Sequence, residues 1–168
     1  MAAPDLETLL DFETNIESAA ETFLSTDTGL ATSSIFVQLD ESDLVLPRLS
    51  VMFELGEADD PPDERSSTSP VLAYRKYNGT LTVRVVTRAS LDGSNSDHRS
   101  YRAKVRKSLL INATNFDTEV STGVSVLPYY DVKYLRPSGT QFDIDGDLAI
   151  STLSYEVRFA IRNDAWPI

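Results

Sequence analysis

One histidine, no cysteine and twenty-six acids limit the chemistry this chain can offer. Without thiols there is no disulfide, no thiolate nucleophile and no thiolate zinc site. His98 could serve as a general base, because imidazole titrates near neutrality. It stands beside Asp97 and Arg99 in the first turn of an expected helix with no nucleophile motif for company, so a surface or capping histidine is the favoured reading. The run Asp143-Ile144-Asp145-Gly146-Asp147 alternates carboxylates as a calcium loop does at its start. A complete loop would place glycine sixth and glutamate twelfth, where this chain has Leu148 and Ser154. An acidic turn before a strand is the better reading. G-x-S-x-G, a Walker loop and H-E-x-x-H are all missing from the sequence. The expectation is a protein that is not an enzyme, with no cofactor and no metal.

What remains is charge. Arg99, Arg102, Lys104, Arg106 and Lys107 place five of the fifteen basic residues within nine positions of a chain whose net charge is −11. Three readings stand: a solvated helix face, a face that meets acidic surface on a partner such as a second copy of this chain, or direct phosphate contact. The overall charge opposes the last, and opposes general nucleic-acid binding, because most of the surface repels a phosphate backbone. Arg99, Arg102 and Arg106 share one stripe. With Trp166, in the apolar Trp166-Pro167-Ile168 end, they form the expected interface set.

The elements that would position these residues follow from periodicity. From Leu153 to Ile161 apolar residues fall on every second position, the mark of a strand with one buried face. Leu148 and Ile150 lie on the opposite parity, so a bulge is expected near Ser151 and Thr152 of this long 148–162 run. Asp5 can cap one helix reaching from Leu6 to a stop at Gly29, with Leu9, Ile16, Ala20 and Leu24 on its apolar face. Extended segments are expected over 33–39 and 45–55, with Pro47 at an edge or bulge. Residues 71–77 and 80–88 flank Asn78-Gly79, a strong local hairpin cue. A second helix runs from Ser96 or Asp97 to about Asn112, with Tyr101, Val105 and Leu109 inward. Residues 124–135 are extended, 136–139 (Arg-Pro-Ser-Gly) make a turn, and 142–147 lead into the final strand. The reading is a single α+β domain over 1–168, an antiparallel sheet with two helices packed on it in the order α-β-β-β(hairpin)-α-β-β. Residues 57–70, with three prolines and five acids, are read as a mobile acidic surface loop. An apolar share of 41% and a charged share of 24% are ordinary for such a domain. No apolar run approaches the roughly 20 residues of a membrane helix, and the acidic N-terminus does not read as a secretory signal.

This arrangement resembles a known family. An N-terminal amphipathic helix precedes a β-meander with a long interrupting loop. LTVRVVTR (81–88) then runs into a helix opening SDHRSYRAKVRKSLL, and ISTLSYEVRFAIR closes the domain. It resembles the tail-terminator and head–tail joining (tail completion) proteins of long-tailed bacteriophages, most closely over 81–110 and 148–161. The resemblance implies a virion structural protein, assembled in the host cytoplasm as a homo-oligomeric ring, usually a hexamer. Such a ring caps the tail tube, meets a head-completion or neck protein, and passes genome DNA through its lumen without specific binding; no membrane is involved. A tail-tube or other neck subunit, and a non-viral intracellular binding module, remain the alternatives.

Overall fold

The computed structural model describes residues 5–36, 45–56, 76–112 and 130–161. The expected 57–70 loop, residues 71–75 and 124–129 of two expected extended segments, and Trp166 lie outside the described residues. The elements run α1 (Leu6–Leu10), α2 (Phe12–Thr28), β1 (Arg48–Leu55), β2 (Lys76–Arg88), α3 (Ser96–Asn112), β3 (Tyr130–Asp145) and β4 (Leu148–Ile161). The class is α+β as expected, but the first helix is two. Asp5 caps α1 by accepting from the Thr8 amide at 2.7 Å, and Asp11 repeats the device for α2 with the Thr14 amide at 3.3 Å. Asp11 leaves helical geometry to do so (φ −77°, ψ 69°) and breaks the run that apolar spacing alone makes continuous. Gly29 ends α2 in the left-handed conformation expected of it (φ 69°).

The four strands form one antiparallel sheet in the order β1-β2-β4-β3. β4 is the long closing strand expected from the sequence, and it lies inside the sheet between β2 and β3. It pairs with β2 without interruption from Lys76↔Ala160 to Arg88↔Leu148. No bulge forms at Ser151 and Thr152, because Ser151 keeps the inward parity of Leu153, Tyr155 and Val157 and is itself buried. The irregularities lie instead in β3, between Val132 and Tyr134 and between Pro137 and Gly139. The second of these replaces the turn expected at 136–139: Pro137, lacking an amide hydrogen, is accommodated in an edge strand by a bulge. The tight turn comes later, at Gly146-Asp147, where the acidic turn was read. Gly146 takes a positive φ of 55° there.

The Asn78-Gly79 hairpin is overturned. Both residues lie inside β2, with Gly79 opposite Leu55 on one side and Val157 on the other. Its missing side chain serves packing: a Cβ at Gly79 would meet the Glu54 carbonyl oxygen at 2.6 Å and the Phe53 ring, which lies across the strand at this point. Gly79→Ala is therefore expected to cost about 1–3 kcal/mol as Phe53 is pushed off the sheet. Equilibrium urea unfolding measures this, and a neutral result would show that Phe53 moves freely.

The strand expected at 33–39 is also revised. The Leu49 and Val51 amides donate to the Ala31 and Ser33 carbonyls at 3.3 and 2.7 Å, so this stretch runs parallel beside β1. Ser33 Oγ then donates to the Ile35 carbonyl at 3.0 Å and the chain bends away at 34–35. Residues 37–39 lie outside the described set. Pro47 stands just ahead of β1, itself an edge strand, as its chemistry requires.

α1, α2 and α3 cover one face of the sheet. Phe12, Ile16, Ala20 and Leu24 of α2, with Val105 and Leu109 of α3, pack on inward residues such as Val83, Leu153 and Val157. The opposite face carries Thr82, Arg84, Ser154 and Arg158, none of them fully buried. Among the described residues no helix is long and apolar enough to cross a membrane.

Candidate functional site

The loop before α3 fixes where that helix starts. The Ser90 amide donates to Asn95 Oδ1 at 2.9 Å, and the Asn95 amide donates back to Ser90 Oγ at 2.7 Å. Asp92 accepts from the Ser94 amide and hydroxyl, bonds that with Ser90 hold its carboxyl down to about 2. Asn95 adopts a positive φ of 48°, and the Arg99 amide donates to its carbonyl as the first turn closes. At its other end α3 is clasped to α2. Asp27 Oδ2 accepts from Ser108 Oγ at 2.6 Å and from Asn112 Nδ2 at 2.9 Å. That explains why Ser108 and Asn112, though polar, are buried.

Held this way, α3 turns its arginines toward the β3 rim. Arg106 donates from Nη2 to Thr140 Oγ1 at 3.4 Å. The Arg102 guanidinium stands 5.5 Å from the centre of the Phe142 ring and donates from Nη1 to Ser151 Oγ at 3.4 Å. Burial, then the charges of Arg106 and Arg99, lowers the Arg102 pKa. None of the three forms an ion pair among the described residues. The sequence-expected arginines are thus brought together, and Trp166 lies outside the described residues. Sequence reasoning missed what lies against them. Phe142 and Ile144 alternate along β3 and remain 45% and 46% exposed, forming an apolar shelf under the arginines. Their alternation was the signal, read only as a lead into the next strand.

His98 is not on the surface. It is 1% exposed, with Nδ1 2.9 Å from Thr87 Oγ1 on β2 and Nε2 2.7 Å from Ser151 Oγ on β4. Thr87 directs its proton to the Arg88 carbonyl at 3.3 Å, which leaves its oxygen to accept from Nδ1–H. Ser151 accepts from Arg102 and gives its own proton to Nε2. A serine donating to an imidazole has the geometry of an activated nucleophile. Here both partners are sealed, Ser151 at 0% exposure, so the pair pins α3 to the two central strands. Burial, reinforced by Arg102, holds the imidazole pKa down to about 4.

The sequence matches no protein-family model and no curated protein. Among solved structures the chain is similar to a chain of the virion of a native gene transfer agent particle, at 13% identity and a TM-score of 0.48, over 93% of this chain and 98% of that one. Another solved structure is similar at 12% identity and a TM-score of 0.46, over 98% of this chain and 100% of that one.

Proposed function

We propose that this chain is a non-catalytic structural subunit of a bacteriophage virion, the ring that ends the tail tube and joins it to the head. The observation that carries the reading is where distinctive side chains are accessible. The one imidazole–hydroxyl pair is sealed inside the fold, whereas Arg99 and Arg106 and the Phe142–Ile144 shelf are gathered on one open rim. A surface built this way recognises another protein. The order of elements and the long closing strand agree with the tail-completion resemblance. In this role the chain associates with itself, as a hexamer in the simplest case. One face of the ring meets the tail-tube protein and the other a head-completion or neck protein. An acidic lumen lets genome DNA pass without sticking, because like charges keep the backbone from settling.

Electron microscopy of the purified protein, alone and mixed with tails lacking their terminal cap, tests this. Closed rings, free or seated on tube ends, are the expected result. Long cylinders would identify a tube subunit instead. Particles that stay solitary and leave the tails uncapped would favour a binding module from outside the virion.

A further inference from the structure

Two stripes of like charge lie on α2 and α3, and neither is ion-paired among the described residues. The first 47 residues hold ten acids and no Lys, Arg or His. On α2, Glu13, Glu17 and Glu21 recur at every fourth position and so form one row. Glu17 Oε1 accepts from the Phe53 amide of β1 at 2.9 Å, which sets this row toward the β1 rim. Glu21 Oε1 is buried and accepts no hydrogen bond among the described residues. Burial raises the carboxyl pKa of both Glu17 and Glu21; the Phe53 amide works against it at Glu17, and the charges of Glu21, Glu13 and Asp11 add to it. The row repels itself, and the groups that shift it include no cation. At the β3 rim the arginines of α3 mirror this state, with Arg102 Nε buried and without an acceptor among the described residues.

The outer edge of β1 is also closed to backbone pairing over Leu49–Phe53. Its outward amides are taken by Ala31, Ser33 and the Glu17 carboxylate. A neighbour therefore cannot extend the sheet from this rim by a simple strand ladder, and the contact must be made by side chains. We infer that copies of this chain join head to tail, the Glu13 and Glu21 row of one copy seated on the Arg99–Arg102–Arg106 stripe and the Phe142–Ile144 shelf of the next. The occupant is a second copy because the acid row and the arginine stripe are complementary, belong to the same chain and lie on different helices of it. A contact between two different patches propagates, and closes into a ring when its rotation allows. This inference deepens the ring reading and rests on it.

Two doublets test it: Arg99→Glu with Arg106→Glu, and Glu13→Lys with Glu21→Lys. Arg102 and Glu17 are left alone because each bonds a buried group, Ser151 and the Phe53 amide, whereas the Thr140 partner of Arg106 is exposed. Mass is measured by light scattering and sedimentation over a concentration series at low salt, with circular dichroism to verify folding. Each doublet alone is expected to weaken association by at least about 10-fold. An equimolar mixture is expected to restore it, because every contact in an alternating assembly again joins opposite charges. Raising the salt to about 0.5 M should weaken the wild type and the restored mixture alike, as screening shortens the reach of the charges. If the wild type forms rings and either doublet does so equally well, or if the mixture fails to recover what each doublet lost, this interface is wrong while the ring reading survives. A wild type that is solitary at every concentration and salt overturns this interface, and one that also leaves offered tails uncapped overturns the ring reading with it.

Discussion

Phe159→Ala is expected to lower the free energy of unfolding by about 3–5 kcal/mol, toward the upper end of that range. Phe159 is fully buried in β4, at the meeting point of rings from four other elements. Tyr77 and Tyr130 stack on it at centroid distances of 5.5 and 5.3 Å, and Phe12 and Phe53 approach edge-on at 5.2 and 6.2 Å. Such pairs add to the area they bury. The size of the loss depends on whether neighbours can fall into the space, and here they are tied. The Tyr130 hydroxyl donates to the Leu9 carbonyl at 2.8 Å and accepts from Asn15 at 2.7 Å, while burial pushes its pKa up to about 12. Phe53 is held over Gly79. The cavity therefore stays open. Urea unfolding should show a lower midpoint with an unchanged slope. A loss below about 1.5 kcal/mol would mean that the ring cluster collapses and does not act as the rigid joint between α2 and the sheet. Small domains have only about 5–15 kcal/mol in all, so the variant would stand near the edge of folding.

The same cluster shows what was legible in the sequence and what was not. β4 and α3 could be read because their periodicities persist over many residues, 14 and 17 here, and long-range packing agrees with them. The arginine stripe was legible for the same reason, since helical spacing alone puts Arg99, Arg102 and Arg106 together. The misreadings share a different origin. Asn78-Gly79 carries a hairpin cue in two residues, and a ring from β1 decides otherwise. Ser151 looked like a break in the apolar alternation because a buried serine is indistinguishable from a wet one until its imidazole partner, 53 residues away, is known. His98 was misplaced by the mirror image of that argument, with polar neighbours in sequence and hydroxyls from two strands in space. The break at Asp11 was hidden because the apolar spacing runs straight through it, although an aspartate inside an apolar run is also a cap. The acid row of α2 was legible residue by residue. Its meaning needed the position of β1.

His98 should make the fold sensitive to mild acid. In the unfolded chain its imidazole titrates near 6.5, whereas in the fold burial and then Arg102 hold it to about 4. The folded state therefore binds fewer protons than the unfolded state across that window. Stability is complete above pH 6.5 and falls as the pH drops toward 4, by up to about 3 kcal/mol from this one group. Below 4 both states carry the proton and the slope from His98 disappears. Glu17 and Glu21 act in the opposite sense: their carboxyls are raised in the fold, so protonation there favours the folded state as the pH falls. The raw pH curve thus mixes the two signs, and a comparison with His98→Gln separates them. The amide neither titrates nor needs a proton, and it can still bond one of the two hydroxyls. At pH 7.5 the variant should be less stable, by about 1–3 kcal/mol, because Thr87 or Ser151 loses its partner. From pH 6.5 to 4 the gap should close, since only the wild type is losing its imidazole contribution. Parallel curves for the two proteins would show that His98 takes up its proton at the same pH folded and unfolded, so that burial does not hold the imidazole neutral.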